Sequence, residues 1–217
     1  MAEEIQFTGS SQNCCVCFVD VVDSTKITVE IANAQKIKRY YSIFINTMAA
    51  IARNFGANII KNTGDSLIYY FPKTSDSADI SDFKSVLECG LTMIAVNPLI
   101  NAKLQVELLP SLNYRISADY GRVEIAKSLT SMSEDLFGPT VSICAKINSM
   151  AASNEMVIGD DLYKIIKPPF GDDYIFNEID EYSIDNQKQG YSVYSVVYKN
   201  NKKNNDDTLN LYSDTIS

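Results

Sequence analysis

The residues that could do chemistry stand out because they interrupt apolar surroundings. Asp20 breaks the run CCVCFVDVV, Cys14 to Val22, and Asp23 follows it at once. A third lone aspartate, Asp65, stands in NTGD between two β-rich runs, with Lys61 shortly before it. Further on, Asp135 precedes Gly138-Pro139, and Ser142 and Lys146 follow them four residues apart. The 217 residues include no histidine, which excludes Ser-His-Asp hydrolysis, Cys-His catalysis and His-ligated zinc. The working groups are therefore carboxylates, lysines, hydroxyls or thiols. Of the five cysteines, Cys14, Cys15 and Cys17 are too close together to pair comfortably, and Cys89 and Cys144 lack a matching metal-ligand spacing. They read as small buried strand residues of a reducing compartment.

Composition narrows the partners. A hydrophobic content of 46% over 217 residues suffices for one sizeable core. A net charge of −8 argues against nucleic acid, whose phosphates need clustered Lys and Arg. No uninterrupted apolar run approaches the ~18–20 residues of a membrane span, and MAEEIQFTGSSQN does not have the pattern of a targeting segment. The expectation is a cytoplasmic protein with neither a nucleic-acid nor a membrane partner.

The elements that must position these residues follow from periodicity. Cys14 to Val22 reads as a strand buried on both faces. Ile31, Ala34, Ile37, Tyr41, Phe44, Met48, Ile51 and Phe55 recur at helical spacing up to Gly56, predicting helix in one or two pieces. ANIIKNTGDSLIYYF predicts a hairpin with Asp65 at its tip. A helix is expected from about Ser77 to Val96, stopped before Pro98. NYRISADYGRVEIAKS reads as a second hairpin around Tyr120 and Gly121, and a helix opens at Gly138-Pro139. EMVIGDDLYKII reads as a strand and a helical turn, and YSVYSVVY as a late strand. This order predicts an α+β fold, a mixed sheet with helices packed mainly on one face. Residues 1–11 read as an N-terminal extension, 12–198 as the domain, and 199–217 as a polar tail, disordered or a linker.

FVDVVDST (Phe18 to Thr25), KNTGDSLIYYF (Lys61 to Phe71), RISADYGRV (Arg115 to Val123) and DLFGPTVSICAKINSMA (Asp135 to Ala151) together resemble the successive signatures of class III adenylyl and guanylyl cyclase catalytic domains. The resemblance implies a ferredoxin-like, palm-type fold with a mixed, mostly antiparallel sheet. It implies conversion of ATP to cyclic AMP and pyrophosphate in a homodimer with shared sites. Two divalent cations, Mg²⁺ or Mn²⁺, would be held by Asp20 and Asp65 with the neighbouring Val21. Such carboxylates suit hard cations that also bind phosphate oxygens. Lys61 and Asp135 match the adenine-reading positions: a lysine donates to N1 and an aspartate accepts from the 6-amino group, whereas guanine presents the opposite polarity.

Three positions depart from the family pattern. Ser142 and Lys146 stand where an asparagine and an arginine are expected to act in catalysis, and their spacing puts both on one helix face near a positive N-terminal end. A lysine lacks the planar fork of an arginine, so slow turnover is expected. Asp23 replaces a glycine; it would repel the triphosphate, assist a metal or, the favoured reading, cap the helix that begins near Ser24. Ser24, Thr25 and Lys188 match phosphate contacts. The alternative reading is a degenerate domain that binds nucleotide or dimerises as a regulatory module. A diguanylate cyclase is set aside because GGDEF and GGEEF are absent.

Overall fold

The elements run β1 (Ile5–Val21), α1 (Ser24–Ile31), α2 (Ala34–Asn54), β2 (Asn58–Asn62), β3 (Ser66–Phe71), α3 (Ile80–Ala95), α4 (Asn97–Val106), β4 (Tyr114–Ser128), β5 (Glu134–Phe137), α5 (Pro139–Asn148), β6 (Glu155–Gly159), α6 (Asp160–Phe170), β7 (Tyr174–Ser183) and β8 (Gly190–Tyr198). The structure is a computed structural model, and it describes residues 5–75, 79–128, 134–183 and 190–199. The eight strands form one sheet in the order β2-β3-β1-β4-β6-β8-β7, with β5 paired to β4. All pairings are antiparallel except β4 with β6, where α5 supplies the crossover that a parallel pair requires.

The centre of the sheet is apolar on both faces, as the run Cys14 to Val22 predicts. Cys15, Cys17, Val19 and Val21 enter the large core with side chains of α2, α3, α4 and α6. Cys14 and Val16 point the other way, to Cys144 of α5. Helices therefore cover mainly one face, with α5 alone on the other. All five cysteines are free and buried. Burial pushes the Cys14 thiol up to about 12 and the other thiols up as well, which leaves them packing groups rather than nucleophiles.

Two expectations are corrected. First, β1 begins at Ile5, well before Cys14, and its early residues Ile5 to Phe7 pair with Ser128 to Ala126. Second, residues 114–128 form no hairpin: they are one strand, β4, paired with β1 from Tyr114 to Ser128 apart from one irregularity. Gly121 serves a close approach rather than a turn. A Cβ there would lie 2.6 Å from Thr140 Oγ1 on α5, so glycine is what lets α5 settle on the sheet. The helix expected to stop before Pro98 does so, since α3 ends at Ala95 with Val96 as its C-cap; Pro98 falls in the first turn of a second helix, α4, where a proline loses no hydrogen bond. The stretch Ile80–Val106 is long and apolar enough to cross a membrane by length and composition alone, with 56% of its apolar window buried inside the protein. The strands β5 and β7 were not anticipated. Residues 200–217 and Lys188 lie outside the described residues.

Candidate active site

Asp20 follows Phe18 on the α5 face of β1, at the end where the strand leaves the sheet, and it is half-buried. Its register partners are Ser66 of β3 and Arg115 of β4. The β2–β3 hairpin brings Asp65 to the same end. Gly64 takes φ +96°, a value that favours glycine, and its N–H donates to Asn62 Oδ1 at 2.7 Å. The Val21 N–H then donates to the Asp65 carbonyl at 3.1 Å, locking the hairpin tip against β1.

The electrostatics of the pair are unbalanced. Burial raises the Asp20 carboxyl above its usual range, the Asp65 charge raises it further, and the Arg115 guanidinium opposes both. Two hard oxygen donors with excess negative charge suit a divalent cation. Among the described residues no group of three or more His, Cys, Asp or Glu side chains is placed to hold a metal. A cation here would complete its shell with backbone, water or phosphate oxygens. Asp20 opens onto a cleft of about 570 Å³ whose walls include Val21, Asp23, Ser24, Thr25 and Arg115, and Asp65 lines an adjoining cleft of about 340 Å³ that shares Ser24 and Thr25 with it.

Sequence reasoning assigned no role to Arg115. It stands beside Asp20, its Nη1 donates to the Ser149 carbonyl at 3.2 Å, and its Nε is buried without a hydrogen-bond partner among the described residues. The available signal was a lone cation opening the strand run RISA; its place across from Asp20 comes from the strand register. Asp23 is a correction. It occupies the N-cap position of α1 but makes no side-chain cap, and its φ of 58° is left-handed. Aspartate tolerates that conformation better than most residues, which accounts for its standing where a glycine is expected. Ser24 is also not free for phosphate: its Oγ donates to Asp65 Oδ2 at 2.5 Å. Thr25 is exposed and lines the cleft.

The other predicted residues gather elsewhere. Lys61 Nζ donates to both Asp135 oxygens, at 2.8 and 2.9 Å, joining β2 to β5. Both side chains are more than a third exposed, and a surface pair of this kind is worth about 0–1 kcal/mol, little enough for a nucleobase to prise open. On α5, Thr140, Cys144 and Ile147 face inward, while Ser142 and Lys146 are both exposed. The shared face is as expected, but the placement near the N-terminus holds only for Ser142. Lys146 is in the last turn of this ten-residue helix. Neither of them lines the Asp20 cleft, and neither do Lys61 and Asp135.

A sequence model of the adenylate and guanylate cyclase catalytic domain matches residues 7–197. A cytidylate cyclase of Staphylococcus aureus is 23% identical over 175 residues, which cover 76% of this chain and 40% of that protein. The chain thus spans about two fifths of the length of that curated relative. Among solved structures, the adenylyl cyclase CyaB from P. aeruginosa matches with a TM-score of 0.77 and 18% identity, over 91% of this chain and 98% of that one. The guanylyl cyclase Cya2 matches with a TM-score of 0.77 and 18% identity, over 90% and 97%. Identities this low carry the fold and leave the substrate open. Since the family match extends over nearly all the described residues, the chain belongs to the adenylate and guanylate cyclase catalytic domain family.

Proposed function

We propose that the protein is a nucleotidyl cyclase that converts ATP to cyclic AMP and pyrophosphate, in a homodimer, with two divalent cations, Mg²⁺ or Mn²⁺, at each site. The observation that carries this reading is the convergence of Asp20 and Asp65 at one end of the sheet, where the Val21 N–H donates to the Asp65 carbonyl and the Asp65 charge acts on the Asp20 carboxyl, with Arg115 beside Asp20. Bound there, the cations would lower the pKa of the ribose 3′-hydroxyl and steady the leaving pyrophosphate. The chain itself would hold the triphosphate through the Arg115 guanidinium, whose donors match phosphate geometry. Thr25, on the same wall, offers a hydroxyl. Lys61 and Asp135 would exchange their mutual ion pair for the edge of the base. The separation of these two, and of Ser142 and Lys146, from the cleft of their own chain supports a site completed by a second copy.

A second substrate is favoured by a specific feature. A lysine donor beside an aspartate acceptor reads an amino group next to a ring nitrogen. Adenine presents that edge at N6 and N1, and cytosine presents it at N4 and N3. Guanine and uracil reverse it. The Lys61–Asp135 pair therefore selects ATP or CTP against GTP and UTP, and the cytidylate cyclase relative makes CTP the second reading. The test is to incubate the protein with each of the four triphosphates and Mn²⁺ and to assay cyclic product. Product from ATP above the rest supports the proposal, and product from CTP alone moves it to the second reading. Product chiefly from GTP or UTP contradicts the role of the pair. Nucleotide binding without any product identifies the regulatory module instead.

A further inference from the structure

The hydroxyl groups around the start of α1 form a chain that ends on Asp65. Ser24 Oγ donates to Asp65 Oδ2 at 2.5 Å, the short distance of a hydrogen bond to an ionised carboxylate. The Ser24 carbonyl in turn accepts from Thr28 Oγ1 at 2.8 Å and from the Tyr41 phenol at 3.1 Å. Those two hydroxyls lie 2.7 Å apart. Helix α1 has no fully buried residue; only Ile27 and Ile31 pack against the core. Apolar burial alone therefore holds this helix weakly, and the hydrogen bonds to Tyr41 of α2 act as its strap.

We propose that Ser24 is a positioning residue for Asp65: it engages Oδ2 and fixes the side chain so that Oδ1 faces the cation, with Thr28 and Tyr41 holding Ser24 in place. The inference rests on the reading of Asp20 and Asp65 as cation ligands. The backbone of Asp65 is held by Val21, but a backbone bond leaves the carboxylate free to turn. Asp65 follows the exposed Gly64 at the hairpin tip and is itself half-buried, so its side chain needs a partner of its own to be held in one orientation. A serine hydroxyl has one proton to donate, so with that proton on Asp65 it cannot also grip a phosphate. Hydrogen bonds to a ligating carboxylate set its orientation and typically change metal affinity ~10–100-fold when removed.

The test is a titration with Mn²⁺ alone, following the electron paramagnetic resonance signal of the free ion, so that turnover plays no part. Ser24→Ala is expected to weaken Mn²⁺ binding ~10-fold, and Ser24→Thr, which keeps the hydroxyl, to stay within ~2-fold of wild type. Tyr41→Phe removes one strap bond and is expected to weaken binding by less than Ser24→Ala. Asp65→Ala serves as the control and should lose the site. If Ser24→Ala binds Mn²⁺ as tightly as wild type while Asp65→Ala does not, the positioning role is overturned and the ligand reading stands. If Asp65→Ala itself binds normally, the ligand reading fails. Should Ser24→Ala melt early by circular dichroism, Tyr41→Phe decides: weakened binding supports the proposal and unchanged binding overturns it.

Discussion

Asp119 offers a perturbation whose size can be worked out. It lies on the α5 face of β4, two residues beyond Ser117, whose hydroxyl donates to the Cys144 carbonyl at 2.8 Å. Its side chain is buried, with 1% relative exposure. The Tyr191 phenol donates to Oδ2 at 2.7 Å and the Tyr120 N–H to Oδ1 at 2.9 Å. A Cβ at Gly159 would fall 2.5 Å from the carboxylate, so the site is closed to water from that side. Burial outweighs these donors, and the nearby Asp161 charge adds to it, so the carboxyl rises from an ordinary 3.8 to about 7. Between those values the folded chain keeps a proton that the unfolded chain has lost. Stability therefore falls as pH rises through this window, by about 1.4 kcal/mol per pH unit. The whole window amounts to on the order of 4 kcal/mol, and the span from pH 5 to pH 7 to roughly 3 kcal/mol. Asp119→Asn keeps an oxygen for the Tyr120 N–H and carries no charge. In thermal melts at pH 5 and 7.5, the wild type should lose roughly 5–10 °C more than the variant, at ~2–4 °C per kcal/mol for a chain of this size. Parallel losses in the two proteins would refute the reasoning, because every other titrating group cancels in the difference.

Three further outcomes are expected. Mixing inactive Asp65→Ala with inactive Lys61→Ala should restore about a quarter of wild-type activity at equal amounts, since half the dimers are mixed and each has one intact site; mixtures that stay dead while subunits exchange would exclude a shared site. Ser142→Asn with Lys146→Arg should raise kcat more than it tightens nucleotide binding, since a single well-placed donor can be worth ~10²-fold or more. Steady-state kinetics separate the two effects. Asp23→Gly should leave the melting temperature within a few degrees, because glycine takes the left-handed φ of 58° freely. It should also tighten triphosphate binding roughly two- to fivefold by removing one exposed negative charge from the cleft wall, as a direct binding titration would show.

What was legible in the sequence was what short-range pattern encodes. The buried strand, the NTGD turn and the helix opened by Gly138-Pro139 announce themselves through apolar runs and turn residues. They are enough to bring Asp20 and Asp65 to one end of the sheet. What was missed depends on partners distant in the chain. Gly121 looks like a turn glycine until Thr140 of α5 is seen against it. Pro98 signals the end of α3 but not the start of α4 around it. β7 escaped notice because it is an edge strand with Ile175 and Ile179 exposed at 41% and 38%, so no clean alternation marks it. Asp23 suited a cap by composition, but its left-handed backbone and uncapped side chain are properties of the turn rather than of the residue type. Arg115 gained its place only from pairing register with Asp20.

The joint role of Asp20 and Asp65 in cyclisation is open to a single assay of cyclic nucleotide and pyrophosphate formed from ATP and CTP with Mn²⁺ in wild type, Asp20→Ala and Asp65→Ala. Folding of each protein is verified by circular dichroism. Metal-dependent product is expected from the wild type and none from either folded variant, because loss of either carboxylate dismantles a two-ion site. Wild-type rates of Mn²⁺-dependent product in both folded variants would contradict that joint role.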